Sequence, residues 1–413
     1  MSKTFAAQVN RAPKDKKLSA ALEYLCRESN KLYNCTLYLA RQLDFKAGKF
    51  FNGSWLSSQM KLNSHMKALY TSAAQPTCIS VGKAFKSFKE LLKPWRKGEL
   101  PEKPKPPQYR TSDSRFQIGY PQRWLKLVDG VVKVPMGKAC KTWFNLSEVF
   151  LPFPTHLDWN QVQKLQIVPR AGYFDVVWIG KGKPVEPVDF APDKALSIDP
   201  GLNNWLTCTT TEGTSFLVDG KHLKSLNQWY NKRVANIKEG KDQDFWCNPL
   251  DRITGKRNHQ MREAVNQATR IANEHCLEPG IGTIVLGWNQ SQKQRSEMGR
   301  KTNQKLVFVP SSRLKKRIQQ LAEQYGIIFI EQEDSYTSKV AALDLDVIPV
   351  FGKKSGGWKP SGKRVKRGLS RSADGTEVNA DAKARWNIGR KANVTGMQST
   401  PATGVLTSPK RLR

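Results

Sequence analysis

The sequence predicts an α/β core preceded by an all-α part and an all-β part. Three observations predict it. Leucines recur at helical spacing in the first quarter of the chain. A proline-rich break is then followed by short strands and an Asp-Gly turn. From Lys194 onward, short apolar strands alternate with long polar helical stretches. At 413 residues the chain is also too long for one small core, so two or three domains are expected.

The all-α part comes first. Leu18, Leu22, Leu25, Leu32, Leu39 and Leu43 fall near one face of a helix. A second helix is predicted over Val81–Leu92, where Phe85, Phe88 and Leu92 share a side flanked by Lys86, Lys89 and Lys93. Residues 98–107, GELPEKPKPP, end any helix and mark a boundary. Beyond it the period becomes two. Trp124–Pro135 reads as strand, Asp129-Gly130 turn, strand. Lys164–Val168 and Phe174–Ile179 form a second hairpin around Gly172. Together they predict an antiparallel β-barrel ending near Pro187.

The α/β part starts with Ala195–Ile198, a buried strand ending in Asp199-Pro-Gly. A hairpin follows across Glu212-Gly213, then helices over about 224–238 and 252–277. Thr283–Gly287 is another buried strand. A helix runs from Ser311 to Gln324, Gly326 stops it, and Ile327–Glu331 is a strand. A last helix follows Asp381. This order matches an RNase H-like core. Residues 352–371 hold eight Lys/Arg and no acid, which predicts a flexible basic flap. The Ser/Thr/Pro-rich tail from Gly396 predicts disorder.

Charge narrows the partners. With 68 Lys+Arg against 35 Asp+Glu the net charge is +33, which favours a polyanion, and nucleic acid first. There is no run of 18 apolar residues to span a membrane and no apolar core for a secretory leader. The seven cysteines form no C-x-x-C pair, and the five histidines show no ligand spacing. Reduced thiols in a cytoplasmic protein are expected.

The informative acids are Asp199 and Asp381. Asp199 ends a buried strand at the carboxyl edge of the sheet, where α/β sites form. Asp381 opens the final helix. Phosphodiester hydrolysis needs clustered carboxylates holding two Mg²⁺ ions about 4 Å apart.

These residues sit in recognisable motifs: SIDPGLNNWLT (197–207), LVDGKHLKSLNQWYNKR (217–233), GWNQSQKQRSEMGRKTNQKLVFVPSSRL (287–314), EQEDSYTSK (331–339) and NADAKARWNIGRK (379–391). The sequence resembles the TnpB family, transposon-encoded RNA-guided nucleases related to miniature type V CRISPR effectors. The resemblance implies a layout. Residues 1–11 and 101–190 would form the wedge barrel, and 12–100 the helical recognition lobe. Residues 191–335 would form the RuvC nuclease core, 336–378 a basic target-loading insert and 379–395 the final RuvC helix, leaving 396–413 as the tail. It also implies a guide RNA, a double-stranded target DNA with a displaced single strand, and Mg²⁺, for which Mn²⁺ can substitute.

The family triad is Asp, Glu, Asp, and its ends map to Asp199 and Asp381. Gly287 stands where the middle Glu belongs. Either the nuclease is dead or another acid fills the place. The next strand should run parallel and carries Glu331, Glu333 and Asp334 at its carboxyl end. Strand alternation groups Glu331 with Glu333, and a relocated Glu occurs in a branch of the family. The expected metal-holding triad is therefore Asp199, Glu333 and Asp381, with Glu331 and Asp334 behind. Two more departures stand out: no zinc cysteines after Ser335, and Lys383 and Arg385 where small residues are usual, although Asn387 is retained. The expected activity is Mg²⁺-dependent, RNA-guided cutting of DNA. The alternatives are a nuclease-inactive guided binder and a miniature type V CRISPR effector.

Overall fold

A computed structural model describes residues 5–48, 50–181, 190–201, 204–289, 310–366, 368–407 and 409–412. Within the motifs above, residues 202–203 and 290–309 lie outside the described residues, as does the expected domain end near Pro187. The chain divides into two compact units, Met1–Gly182 and Lys183–Arg413.

The first unit opens with strand β1 (Phe5–Arg11) and helices α1 (Lys16–Ala47), α2 (Gly53–Gln59), α3 (Ser64–Ala68) and α4 (Thr71–Arg96). Asp15 caps α1 by accepting from the Leu18 amide at 2.6 Å. Gly48, at φ 62°, ends it. Helix α4 begins ten residues before the predicted start and passes through Pro76 and Pro94. Its early turns are held by burial of Ala73, Ala74 and Cys78 rather than by propensity. The β part follows: β2 (Ile118–Pro121), β3 (Lys126–Val128), β4 (Val131–Pro135), helix α5 (Lys138–Phe144), β5 (Glu148–Pro152), β6 (Val162–Arg170) and β7 (Tyr173–Lys181). Asp129 and Gly130, both at positive φ, make the predicted β3–β4 turn, and Gly172 turns β6 into β7.

The barrel expectation is corrected. These strands form two open antiparallel sheets, ordered β1-β7-β6-β2 and β3-β4-β5. The β3–β4 hairpin pairs with β5 instead of the β6–β7 hairpin, which leaves too few strands in either sheet to close on itself. One core, including Leu22, Leu25, Tyr120, Leu165 and Trp178, joins helices to both sheets.

The second unit contains β8 (Ala191–Pro200), β9 (Asn204–Thr210), β10 (Ser215–Asp219), α6 (Lys221–Lys238), α7 (Asn248–Leu277), β11 (Ile281–Gly287), α8 (Ser311–Tyr325) and β12 (Ile328–Gln332). Then come β13 (Lys363–Lys366), β14 (Leu369–Arg371), β15 (Glu377–Asn379), α9 (Ala380–Lys391), α10 (Thr403–Thr407) and β16 (Lys410–Leu412). The main sheet is mixed, in the order β12-β11-β8-β9-β10-β16. β8, β9 and β10 are antiparallel, whereas β11 runs parallel to both β8 and β12. β11 is buried along its whole length, as a strand covered on both faces should be. One face packs on Met261, Val265, Leu314 and Ile318 of α7 and α8, and the other on Ala382, Trp386 and Ile388 of α9.

Regular structure appears in both the basic insert and the tail. The basic insert contains a three-stranded antiparallel ribbon, β13-β14-β15. Asp346 accepts from the amides of Ala341 and Ser361, and Asp344 accepts from Ser361 and from the Ala373 amide. Composition missed these anchors because two carboxylates organise many basic residues. In the tail, burial of Val405 and Leu406 orders α10, and β16 pairs in parallel with β10.

Candidate active site

The site lies at the carboxyl edge of the mixed sheet. β8 delivers Asp199 there, and β11 is in register beside it, Leu286 opposite Ile198, so Gly287 ends level with Asp199. Helix α9 starts at the same edge. Asn379 caps it by accepting from the amides of Asp381 and Ala382, both at 3.0 Å, which fixes Asp381 in the first turn. A helix N-terminus favours a carboxylate there. Asn204, at the start of β9, donates to Asp381 Oδ2 at 3.3 Å.

The three acids at the end of β12 separate. The strand stops at Gln332, so alternation does not carry to 333 and 334. Exposed Glu331 pairs with Lys315 at 2.7 Å. Glu333 pairs with Lys391 and accepts from the Ser335 amide at 2.6 Å. Burial pushes its carboxyl up, but these partners outweigh it, and Glu333 sits below the usual glutamate range. Asp334 turns the other way, to accept from Asn289. A Cβ added to Gly287 would lie 3.3 Å from the Asp334 Cβ and 2.7 Å from Ile388 Cδ1. Asp334 therefore occupies the space beside the missing side chain.

Electrostatics link the same groups. Asp199 keeps some exposed surface, yet protein atoms surround its carboxyl. Burial pushes it up to about 7. Arg385 opposes that rise, while Asp334 and Asp381 add to it. Burial and Glu333 raise Asp334, against Asn289 and Lys391. The structure thus brings Asp199, Asp334 and Asp381 into one field. Among the described residues, no three His, Cys, Asp or Glu side chains close into a metal-holding group. The donor chemistry nevertheless suits a hard divalent cation: mutually repelling carboxylates and no sulfur or imidazole. All seven cysteines are free.

Sequence reasoning missed the supporting residues. Asn204 lies inside the SIDPGLNNWLT motif, and Asn289 just beyond β11, but neither type signals a site alone. Asn387 donates to the carbonyls of Thr337 and Val340, both at 3.0 Å, fastening the chain after β12 to α9. Only its retention was legible.

Residues 182–306 match the OrfB_IS605 family, a probable transposase. This bears out the resemblance to TnpB. No curated protein matches the chain. Among solved structures it is similar to the Cas12f1 chain of a Cas12f1–sgRNA–target DNA complex, at 12% identity and a TM-score of 0.57, covering 91% of this chain and 83% of that one. It also matches the mini-RNA-guided endonuclease CRISPR-Cas_phi3, at 11% identity and a TM-score of 0.43, covering 95% and 93%. The Cas12f1 likeness is one of fold. Among the described residues no helix is long and apolar enough to cross a membrane.

Proposed function

We propose that this chain is an RNA-guided DNA endonuclease of the TnpB kind, with Asp199, Asp334 and Asp381 as its metal-holding acids. The observation that carries the reading is Asp334 seated beside Gly287, level with Asp199. The position vacated by the family's glutamate is refilled from the neighbouring strand's end. Glu333, favoured by sequence, is engaged by Lys391 and serves as a neighbour.

In this reading the sheet of residues 191–335 with the helix of 379–395 is the RuvC nuclease. Residues 12–100 form the recognition lobe, 1–11 and 101–190 the wedge part, and 336–378 the target-loading insert. The guide RNA is held through its backbone while base pairing reads the DNA. The displaced strand follows basic and aromatic surface. The net charge and pairs such as Lys256 over Trp229, at 5.8 Å, support that assignment. Bound Mg²⁺, or Mn²⁺, would activate water and steady the leaving oxygen. The chain's own part is to bring three carboxylates to the same edge of the sheet. Asn204 orients Asp381, Asn289 orients Asp334, and the Asn379 cap sets the start of α9. A prokaryotic cytoplasm is the proposed setting.

The test is Mg²⁺-dependent cleavage by the purified ribonucleoprotein, co-expressed with its native flanking DNA. Asp199→Ala and Asp334→Asn should each lower cutting by at least about 10²-fold while target binding persists. Undiminished cutting by Asp334→Asn would sink the assignment. The second reading, a guided binder without nuclease activity, is favoured by Gly287 and by the absence of a closed metal-holding group among the described residues. Tight target binding with no cutting across Mg²⁺ and Mn²⁺ titrations would select it.

A further inference from the structure

Arg385 is a fully buried guanidinium in the α/β core. It lies one helical turn after Asp381 on α9, a spacing that places the two side chains as neighbours. Its carbonyl accepts from Ser197 Oγ at 2.7 Å, and its Nε donates to Thr209 Oγ1 at 3.4 Å. Ser197 and Thr209 are cross-strand partners on β8 and β9, and Asp199 pairs with Thr207 two residues along. Alternation puts Ser197 and Asp199 on one face of the sheet. The guanidinium therefore lies over the face that carries Asp199. Both of its terminal nitrogens, Nη1 and Nη2, are buried without a hydrogen-bond partner among the described residues.

A buried charge with two orphan nitrogens is costly unless opposite charge faces it. Asp199 and Asp381 supply that charge. Resting on the nuclease reading above, we propose that Arg385 is a built-in counter-cation for the acid cluster. It holds Asp199 and Asp381 together when no metal is bound, and it weakens divalent-ion binding by supplying part of the positive charge in advance. It is a positioning residue, acting through the two aspartates. The expected consequence is a nuclease site that stays folded without metal and fills only at high metal concentration.

The test uses the full chain with Arg385→Met, which keeps length and removes charge, and Arg385→Lys, which keeps charge. Mn²⁺ binding is followed by electron paramagnetic resonance, and thermal melting is run in chelator and in Mg²⁺. Arg385→Met should bind Mn²⁺ at least about tenfold tighter, since an opposite charge shifts a carboxylate equilibrium by about one unit or more. It should melt earlier in chelator, with a larger Mg²⁺-induced rise than wild type. Arg385→Lys should stay near wild type in Mn²⁺ affinity. Adding Asp199→Asn to Arg385→Met should restore part of the melting temperature lost in chelator, which a packing defect would not allow.

Equal Mn²⁺ affinity in wild type and Arg385→Met, or no rescue by Asp199→Asn, would overturn the proposal. If wild type shows no Mn²⁺ binding that Asp199→Asn abolishes, the metal reading of the site falls and the proposed weakening of metal binding falls with it. The rescue in chelator then decides the pairing of Arg385 with the acids by itself.

Discussion

At the residue level, the site turns on a glycine and the acid beside it. Gly287→Ala would put a methyl group 2.7 Å from Ile388 Cδ1, so that side chain must shift. A cost of about 1–3 kcal/mol is expected, readable as a lowered denaturation midpoint. Gly287→Glu should fail to improve cutting, because Asp334 already holds the space. Glu333→Gln should retain more cleavage than Asp334→Asn in the same single-turnover assay. The sequence named all three candidates at the end of β12 and put Glu333 first, whereas the proposal above puts Asp334 first. Strand alternation was the available rule, and β12 stops at Gln332, one residue too early for it to apply. In the structure Lys315 pairs with Glu331 and Lys391 with Glu333. Neither pairing has a sequence signal, since the partners lie 16 and 58 residues away.

At the level of elements, periodic segments were legible and segments held by single polar contacts were not. The leucine stripe of α1, the Asp129-Gly130 turn and the Gly326 stop all emerged where local chemistry dictated them. The ribbon β13-β14-β15 did not: Asp346 and Asp344 hold the residues that flank its first two strands, Ser361 and Ala373, and composition gives no sign of those contacts. Glu28 of α1 is another such anchor. It pairs with Lys31 and His65, each at 2.8 Å. Burial pushes its carboxyl up, but the two partners outweigh that, and Glu28 sits below the usual range. A depressed carboxyl adds stability that is present above the unfolded value, about 4.5, and lost as pH falls through the folded one. The first unit should therefore lose stability steeply on the acid side of pH 4.5. Glu28→Gln should flatten that limb in urea titrations at stepped pH, and an unchanged slope would count against the pairing.

For the whole molecule, charge is the dominant property. At +33, nucleic-acid affinity should fall steeply with salt. The logarithm of the affinity for single-stranded RNA should drop by about 0.7 per phosphate contact for each tenfold rise in salt. Filter binding between low and physiological salt measures it, and a flat response would remove the electrostatic part of the proposal. Charge was fully legible in the sequence, whereas the closing of the mixed sheet was not. Its last strand comes from a tail of low-complexity appearance, which lies beside Phe216–Val218 and is tied by Arg411 to Asp219 at 2.8 Å. That small strand matters for handling the protein. A sheet margin with unsatisfied amides recruits other chains, and residues 410–412 cover this one. A fusion joined before Pro409 would leave the margin bare and invite self-association, whereas a fusion joined after Leu412 keeps it covered.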